Sequence, residues 1–488
     1  MSDQINDTSD DQKKYFEFLN KMSNIIISNK NNYSSAVEIF TSDDIKQSLK
    51  NRSSSASQKK LRKISQILYY ASGQYQKAVN YFALLHTMDY IIEPLTTDIT
   101  SINPKKYKKE YEEFSKTIEK MNISTVFNEA RLASYIDGAF YGFARPTKNG
   151  FYIQKLDPDY CKISFVNPEN GLLGYSFDFS YFDKNPTKID SFPEEFRKLY
   201  SNSNGQTNKW VQIVSPLAIC LTTSYDYNPI PALSNVFEGV LDIAKYKNLS
   251  KTKEEIDNWA LITQKIPMGG KTKDDFMLSP EFFNDHHDNL VDAAPENAGV
   301  TTSPMDINVV KFDRDTYDKN KVGQATVQFW DETGASSLLF GTNANTSTAL
   351  KYSIGTDESD AFRLTQLIEL WCNAYIQSIS NFKYRFKLTI LPSTKLNRND
   401  LIESALKLAN AGFPVKNEIM ALRGYKPNSA SMNSFLENTI LKLPDVLTPL
   451  SSAHTLSSTE SEGRPAKDEG DLTEKGLETK DNESNDDA

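Results

Sequence analysis

The sequence predicts an α+β fold, on three observations. Leu61, Ile64, Leu68, Ala71, Tyr75, Ala78, Phe82 and Leu85 recur at three- and four-residue steps, the period of one buried helix face. Leu364, Leu367, Ile368, Trp371, Tyr375 and Ile379 repeat that period late in the chain. Between them, residues 140–182 change to short apolar runs broken by Gly142, Asn149, Gly150 and Pro158, the pattern of strands and turns. The 488 residues give a prior of about three domains. With 39% apolar and 24% charged residues, 27 Phe and 24 Tyr, global disorder is excluded.

Taken in order, residues 1–12 are polar, acidic and expected to be disordered, and residues 13–27 carry a mixed helical pattern. Asn, Ser and Lys dominate residues 28–60, a loop around a short helix at Ser42-Asp43-Asp44-Ile45. The first stripe makes residues 60–88 helical, with Gly73 placed to bend or break the helix. Asn103-Pro104 opens a second helix, because proline suits a first helical turn, and a third is expected over 124–141. Phe151-Tyr152-Ile153 and residues 160–166 read as strands, followed by turn chemistry in Asn167-Pro168-Glu169-Asn170-Gly171. Residues 210–221 read as one more strand, completing a small antiparallel sheet.

After Asn228-Pro229-Ile230-Pro231 the pattern predicts a helix over 232–262, roughly 45 Å long. Pro267 and Gly269-Gly270 end it. Ser279 caps, and Pro280 opens, a short acidic helix over 279–293. Extended pieces follow at Gly299-Val300-Thr301-Thr302 and Ile307-Asn308-Val309-Val310, then a helix over 315–333. Residues 341–348 are small and polar and lead into the second helical stripe. Residues 384–391 alternate Phe386, Leu388 and Ile390 as a strand does, and 399–410 and 416–422 are short helices. Beyond Pro444 there is no aromatic residue, and disorder is expected. No internal repeat is visible.

Composition narrows the functional classes. No window approaches the ~18 uninterrupted apolar residues of a membrane span. The start, Met1-Ser2-Asp3-Gln4, offers neither the charged nor the apolar region of a secretory signal, so the product is expected to stay in the compartment that made it. Cys161, Cys220 and Cys372 lie far apart without zinc spacing and read as core residues. The net charge of −9 is uneven: residues 451–488 hold eleven acids and four bases, a balance of −7, leaving −2 for residues 1–450. A tight nucleic-acid binder shows a basic domain, so any contact with DNA should be weak.

Catalytic patterns fail one by one. Gly269-Gly270-Lys271-Thr272 resembles the end of a P-loop, but the first glycine of that motif falls on Lys265 and Pro267 interrupts the loop. His286 and His287 are adjacent, so on a helix they point about 100° apart and cannot share a metal as residues at i and i+4 do. No G-x-S-x-G elbow occurs. Asp178 with Asp183, and Glu254 with Glu255, are carboxylate pairs that a solvated surface explains. No catalytic residue, cofactor or metal site is expected, and a structural or binding protein is.

Several stretches carry a resemblance. Asn228-Pro229-Ile230-Pro231-Ala232-Leu233-Ser234 enters a helix; Pro295-Glu296-Asn297-Ala298-Gly299-Val300-Thr301-Thr302 with Met305-Asp306-Ile307 is a small β element between helices; Thr333-Gly334-Ala335-Ser336-Ser337-Leu338-Leu339-Phe340-Gly341 precedes Ser347-Thr348-Ala349-Leu350-Lys351-Tyr352-Ser353-Ile354 and Asp357. Over residues 140–443 this order resembles the portal proteins, or head-to-tail connectors, of tailed double-stranded DNA bacteriophages. The motifs are patterns of small and apolar residues without catalytic groups.

The resemblance implies a wing over residues 13–273, stem helices at 274–294 and 313–335 flanking a clip at 295–312, a tunnel loop and long helix with a strand returning to the wing at 336–395, crown helices at 396–443, and an acidic tail at 444–488. It implies a ring, typically a dodecamer, at one capsid vertex in the virion, assembled in the host cytoplasm, through which DNA is packaged and ejected. The tunnel loop would be Gly341, Thr342, Asn343, Ala344, Asn345, Thr346 and Ser347, with Lys351 near phosphate. Asn297, Gly299, Val300, Thr301, Thr302, Met305 and Ile307 would dock an adaptor at the clip. Val322, Ala325, Phe329 and Trp330 would face the neighbouring subunit. Partners would be the terminase large subunit, a head-completion adaptor, major capsid and scaffold proteins, and double-stranded DNA held weakly, without sequence specificity, as an acidic stem (Asp274, Asp275, Glu281, Asp285, Asp288, Asp292) would favour. The alternatives are a cytosolic enzyme with a divergent site, or a minor capsid or tail protein without a channel.

Overall fold

A computed structural model describes residues 40–96, 98–148, 150–203, 205–257, 260–269, 277–294, 298–303, 321–334 and 347–443. They are helices with small sheets, as an α+β chain requires. The patterns over residues 13–27 and 307–310 and the acidic tail lie outside them.

Helix α1 (Ser42–Lys50) opens on a capping box. Thr41 Oγ1 accepts from Asp44 N at 3.2 Å, and the Asp44 carboxylate accepts from Thr41 N at 3.1 Å. The first apolar stripe divides into α2 (Ser55–Ala71) and α3 (Gly73–Leu84). The break is Ser72, extended, whose hydroxyl accepts from Tyr75 N at 3.3 Å and caps α3. Strand β1 (Tyr90–Pro94) follows. Helix α4 (Pro104–Met121) starts where proline placed it, with Asn103 Oδ1 accepting from Lys106 N at 3.1 Å.

Helix α5 (Ile123–Ile136) stops short of the predicted 141, because Gly138 at φ 84° turns the chain into β2 (Ala139–Pro146). Next come β3 (Phe151–Lys155), β4 (Cys161–Val166), β5 (Leu173–Asp178), α6 (Ser180–Lys184) and α7 (Glu194–Ser203). Residues 210–221 are not one strand. They form β6 (Trp210–Gln212), which pairs with β5, and β7 (Ala218–Thr222), which pairs with β2 in another sheet. Pro216 lies between them and has no N–H for either ladder. Both three-stranded sheets, ordered β3-β2-β7 and β4-β5-β6, are antiparallel. Tyr141, Phe143, Tyr175, Phe177, Phe179, Phe182 and Phe196 fill a core they share, with rings as close as the 4.8 Å between Phe182 and Phe192.

The helix predicted over 232–262 is shorter. A 3-10 turn at Ser234–Val236 leads into α8 (Phe237–Asp257), and β8 (Ala260–Lys265) is a strand. The remaining elements are α9 (Pro280–Ala293), β9 (Ala298–Ser303), α10 (Lys321–Thr333), α11 (Ser347–Ile379), β10 (Phe386–Ile390), α12 (Arg398–Asn410), α13 (Lys416–Leu422) and α14 (Pro427–Phe435).

At 33 residues α11 is roughly 50 Å long. Its predicted stripe is buried at Leu364, Ile368, Trp371 and Tyr375, whereas Ile379 is exposed. The Trp371 indole N–H donates to the Ala218 carbonyl at 2.8 Å, and its ring lies 5.9 Å from Phe127 and 6.3 Å from Phe151. Two adjacent carboxylates hold the helix along its length: Tyr81 Oη donates to Asp357 at 2.9 Å and Thr394 Oγ1 to Glu358 at 2.6 Å. Strand β10 pairs antiparallel with β1, from Tyr90↔Ile390 to Pro94↔Phe386. Leu391, Ala421 and Leu422, with Ile91, Leu401 and Ile402, seat α12 and α13.

The chain divides into two units, Met1–Asn428 and Ser429–Ala488. The second holds most of α14 and a π-turn, Leu436–Ile440, with Met432, Phe435 and Ile440 exposed.

Gly138 gives a direct check on the first unit. An added Cβ would stand 2.5 Å from the Ile230 nitrogen, in a backbone conformation that L residues avoid. Gly138→Ala should destabilise by more than ~1 kcal/mol, read as a lowered thermal midpoint, whereas Gly73→Ala, with open space around its Cβ, should not.

Candidate assembly surface

Of the residues singled out by sequence, Gly299, Val300, Thr301 and Thr302 fall on β9 and Val322, Ala325, Phe329 and Trp330 on α10, next to β8 and α9 in the chain. Ser279 Oγ accepts from Phe282 N at 3.4 Å and caps α9, with Pro280 in the first turn. Strands β8 and β9 pair in parallel, from Ala260↔Ala298 to Lys265↔Ser303, and α9 is the crossover that parallel strands need. Three side chains join the elements: His287 Nδ1 lies 2.8 Å from Thr302 Oγ1, which donates to Gln264 Oε1 at 3.0 Å.

Much of this module remains uncovered. Parallel sheets are normally buried on both faces, and two strands alone are marginal. Met268, Met277, Leu278, Phe282 and Val291 are 43%, 68%, 42%, 51% and 49% exposed. Only β8 and β9 belong to this sheet among the described residues. Glu281, Asp285, Asp288 and Asp292 are all exposed and recur at helical spacing along α9, which contains no Lys or Arg.

Helix α10 lies against α8. Phe329 and Trp330 are 0% and 4% exposed, in one core with Phe237 and Val240. Asn235 Nδ2 donates to the Glu332 carbonyl at 2.8 Å, and a Cβ on Gly239 would meet Glu332 Oε2 at 3.3 Å. That corrects the expectation that Phe329 and Trp330 face a neighbour: α8 of the same chain already covers them. Val322 and Ala325 are half-buried. The exposed apolar residue of the helix is Val327, at 50%, which the sequence reading missed.

The other predicted positions divide similarly. Gly299, Val300, Thr301 and Thr302 form much of β9, but the Thr302 hydroxyl is engaged inside the module instead of being free for docking. Asn297, Met305 and Ile307 lie outside the described residues, as do Gly341, Thr342, Asn343, Ala344, Asn345 and Thr346. Ser347 is not loop but the first residue of α11, with Lys351 one turn on.

No group of three metal-ligating side chains occurs among the described residues. Two depressions there, about 460 and 390 Å³, are lined by Glu194, Arg197, Lys198, Ser201 and Asn202, and by α4 and α11 residues such as Glu113 and Ile379. Burial pushes the thiols of Cys161, Cys220 and Cys372 up, away from the reactive thiolate. No described helix is long and apolar enough to cross a membrane.

No family model and no curated protein matches the sequence. Solved structures that are similar in part include two particle necks. One is the neck of an empty GTA particle computed with C6 symmetry, at 13% identity and a TM-score of 0.40, over 76% of this chain and 94% of that one. The other is the neck of a native GTA particle computed with C12 symmetry, at 13% identity and a TM-score of 0.40, over 74% and 91%. Likeness at this level does not establish a shared fold.

The packing of α10 predicts the effect of truncating it. Phe329→Ala should cost ~3–5 kcal/mol of folding stability in the isolated subunit, whereas Val327→Ala should stay within ~0.5 kcal/mol, both measured by chemical denaturation.

Proposed function

We propose that the chain is the subunit of a portal-type ring, the connector at a phage capsid vertex through which double-stranded DNA passes. The observation that carries this reading is the β8-α9-β9 module, where Met268, Met277, Leu278, Phe282 and Val291 are exposed apolar side chains. A surface of that kind is completed by other chains. The sequence resemblance over residues 140–443 adds the expected order: the module stands between α8 and α10, and a long helix follows.

In this reading the protein does no chemistry. It docks a separate packaging motor, then a head-completion adaptor, at β9 and the residues after it, and capsid and scaffold proteins meet the sheet-bearing region. The residues toward neighbours are Phe282, Val291 and Val327, in place of Phe329 and Trp330. The acidic stripe of α9 would repel phosphate and keep DNA moving, as a basic lining would not.

Mass measurement with negative-stain imaging of the purified full chain tests the assembly. Rings of about twelve subunits with a central hole are expected, and Phe282→Asp should shift the population to monomers that keep the helix and strand content of the parent by circular dichroism. A stable small oligomer that binds nucleotide or metal would support an enzyme instead. Closed assemblies without a hole would support a minor capsid or tail component. For the channel, deletion of residues 342–346 should leave rings intact but impair DNA packaging or retention; normal packaging would reduce that loop to a connector.

A further inference from the structure

Away from the assembly surface, one helix face is strongly positive in a chain whose net charge is −9. Helix α4 presents Lys105, Lys106, Lys108, Lys109, Lys116 and Lys120 to solvent. Its seat is firm: Asn103 N donates to Tyr384 Oη at 2.8 Å, and the Tyr107 ring lies 5.1 Å from both Tyr384 and Phe386. Two of its acids are turned to backbone groups. Glu110 Oε2 accepts from Tyr384 N at 2.8 Å, and Glu119 Oε1 from Asn428 N at 3.1 Å. The other two, Glu112 and Glu113, stand 4.0 Å from Lys108 and 3.9 Å from Lys109, exposed pairs that offset little of the field. Lys383, whose ammonium lies 5.4 Å from the centre of the Tyr384 ring, extends the patch at the start of the helix.

These lysines do not serve the helix. Its first turn has no acid, so Lys105 and Lys106 set positive charge against the positive end of the macrodipole. The ion pairs run Lys before Glu, the weaker order at i,i+4. What the lysines form is a row. At 3.6 residues per turn and 1.5 Å per residue, Lys105, Lys109, Lys116 and Lys120 fall within about 60° of one another over about 22 Å. A straight row of point charges matches a stiff polyanion, and a DNA duplex carries one charge per ~1.7 Å of its axis. The residue types favour the duplex over other anions. Protein interfaces are enriched in Arg and aromatic residues and depleted in Lys, and α4 contains no Arg. Single strands are held on exposed aromatic platforms, whereas Tyr107 and Tyr111 of α4 pack inward on Phe386. Lysine, a flexible point charge without the guanidinium fork, suits backbone phosphate.

We infer that the lysine face of α4 is a binding surface for the phosphate backbone of double-stranded DNA, independent of base sequence. That the duplex is DNA rests on the portal reading; the polyanion surface rests on α4 alone. Contact through a few exposed lysines is weak and salt-sensitive, so a duplex lying along α4 is held beside the subunit without being locked there.

Fluorescence anisotropy of the purified full chain with short labelled duplexes of two unrelated sequences tests it. Both should bind alike, and affinity should fall roughly 100-fold between about 50 and 200 mM salt, as about four phosphate contacts require. Lys105→Gln with Lys109→Gln should cut that salt loss to roughly 10-fold and weaken binding without lowering the thermal midpoint. Lys407→Gln with Lys416→Gln, which removes the same charge from exposed positions of α12 and α13, should leave binding unchanged. Equal weakening by both pairs would reduce the effect to net charge and overturn the surface, as would a clear preference between the two sequences. Tighter binding of a duplex RNA would overturn DNA as the occupant. Mass measurement of the same samples separates this surface from the ring. Rings that keep full affinity without Lys105 and Lys109 would overturn the surface and leave the ring standing; small oligomers that lose DNA with those lysines would support the surface and count against the ring.

Discussion

One side chain connects the parts of the first unit. The Trp371 indole touches Phe127 of the helical layer and Phe151 of the β3-β2-β7 sheet, and its N–H ends on the carbonyl of Ala218 in β7. It also lies parallel to Tyr375, one turn along α11, at 5.3 Å. Helix, sheet and long helix are therefore fixed relative to one another by a single buried ring with its one polar atom satisfied. The clasp of Tyr81 and Thr394 on Asp357 and Glu358 then sets how far along its axis α11 can sit. Everything upstream on α11, toward residue 347, takes its position from these contacts.

That rigid seat contrasts with the β8-α9-β9 module. Around Trp371 the indole N–H is paired and the apolar side chains are covered. In the module Met277 and Phe282 stand in solvent, and the hydrogen-bonded chain His287–Thr302–Gln264 joins its parts from inside. The same polypeptide thus has a region complete as a monomer and a region that needs company. The division follows the local chemistry: aromatic residues crowd the first, while an acidic helix and short Thr-rich strand make up the second.

The sequence made the locally encoded features plain. Ser279-Pro280 announced α9, Asn103-Pro104 announced α4, and the stripe from Leu364 to Tyr375 was read correctly because its period repeats over several turns. What failed was long-range. Residues 260–265 were read as the end of a helix because a short apolar run fits either period, and what makes them a strand is a partner 38 residues on, at Ala260↔Ala298. Tyr90–Pro94 escaped notice for the same reason, its partner being β10. Along α10 the sequence marked apolar positions but not which way they face. Phe329 and Trp330 are apolar in either environment, and only the close approach of α8 at Gly239 decides that they point inward.

The pairing of β1 with β10 has a consequence for synthesis. Tyr90 meets Ile390, about 300 residues later in the chain. At ~5–20 residues per second a ribosome needs roughly 15–60 s to make that interval. Throughout it β1 has been translated but has no ladder partner, with Ile92 awaiting the core that β10 and α11 complete. The first-made region of the subunit is thus the one that finishes folding late. Its exposure to chaperones, or to the same strand on a neighbouring nascent chain, is set by topology more than by stability.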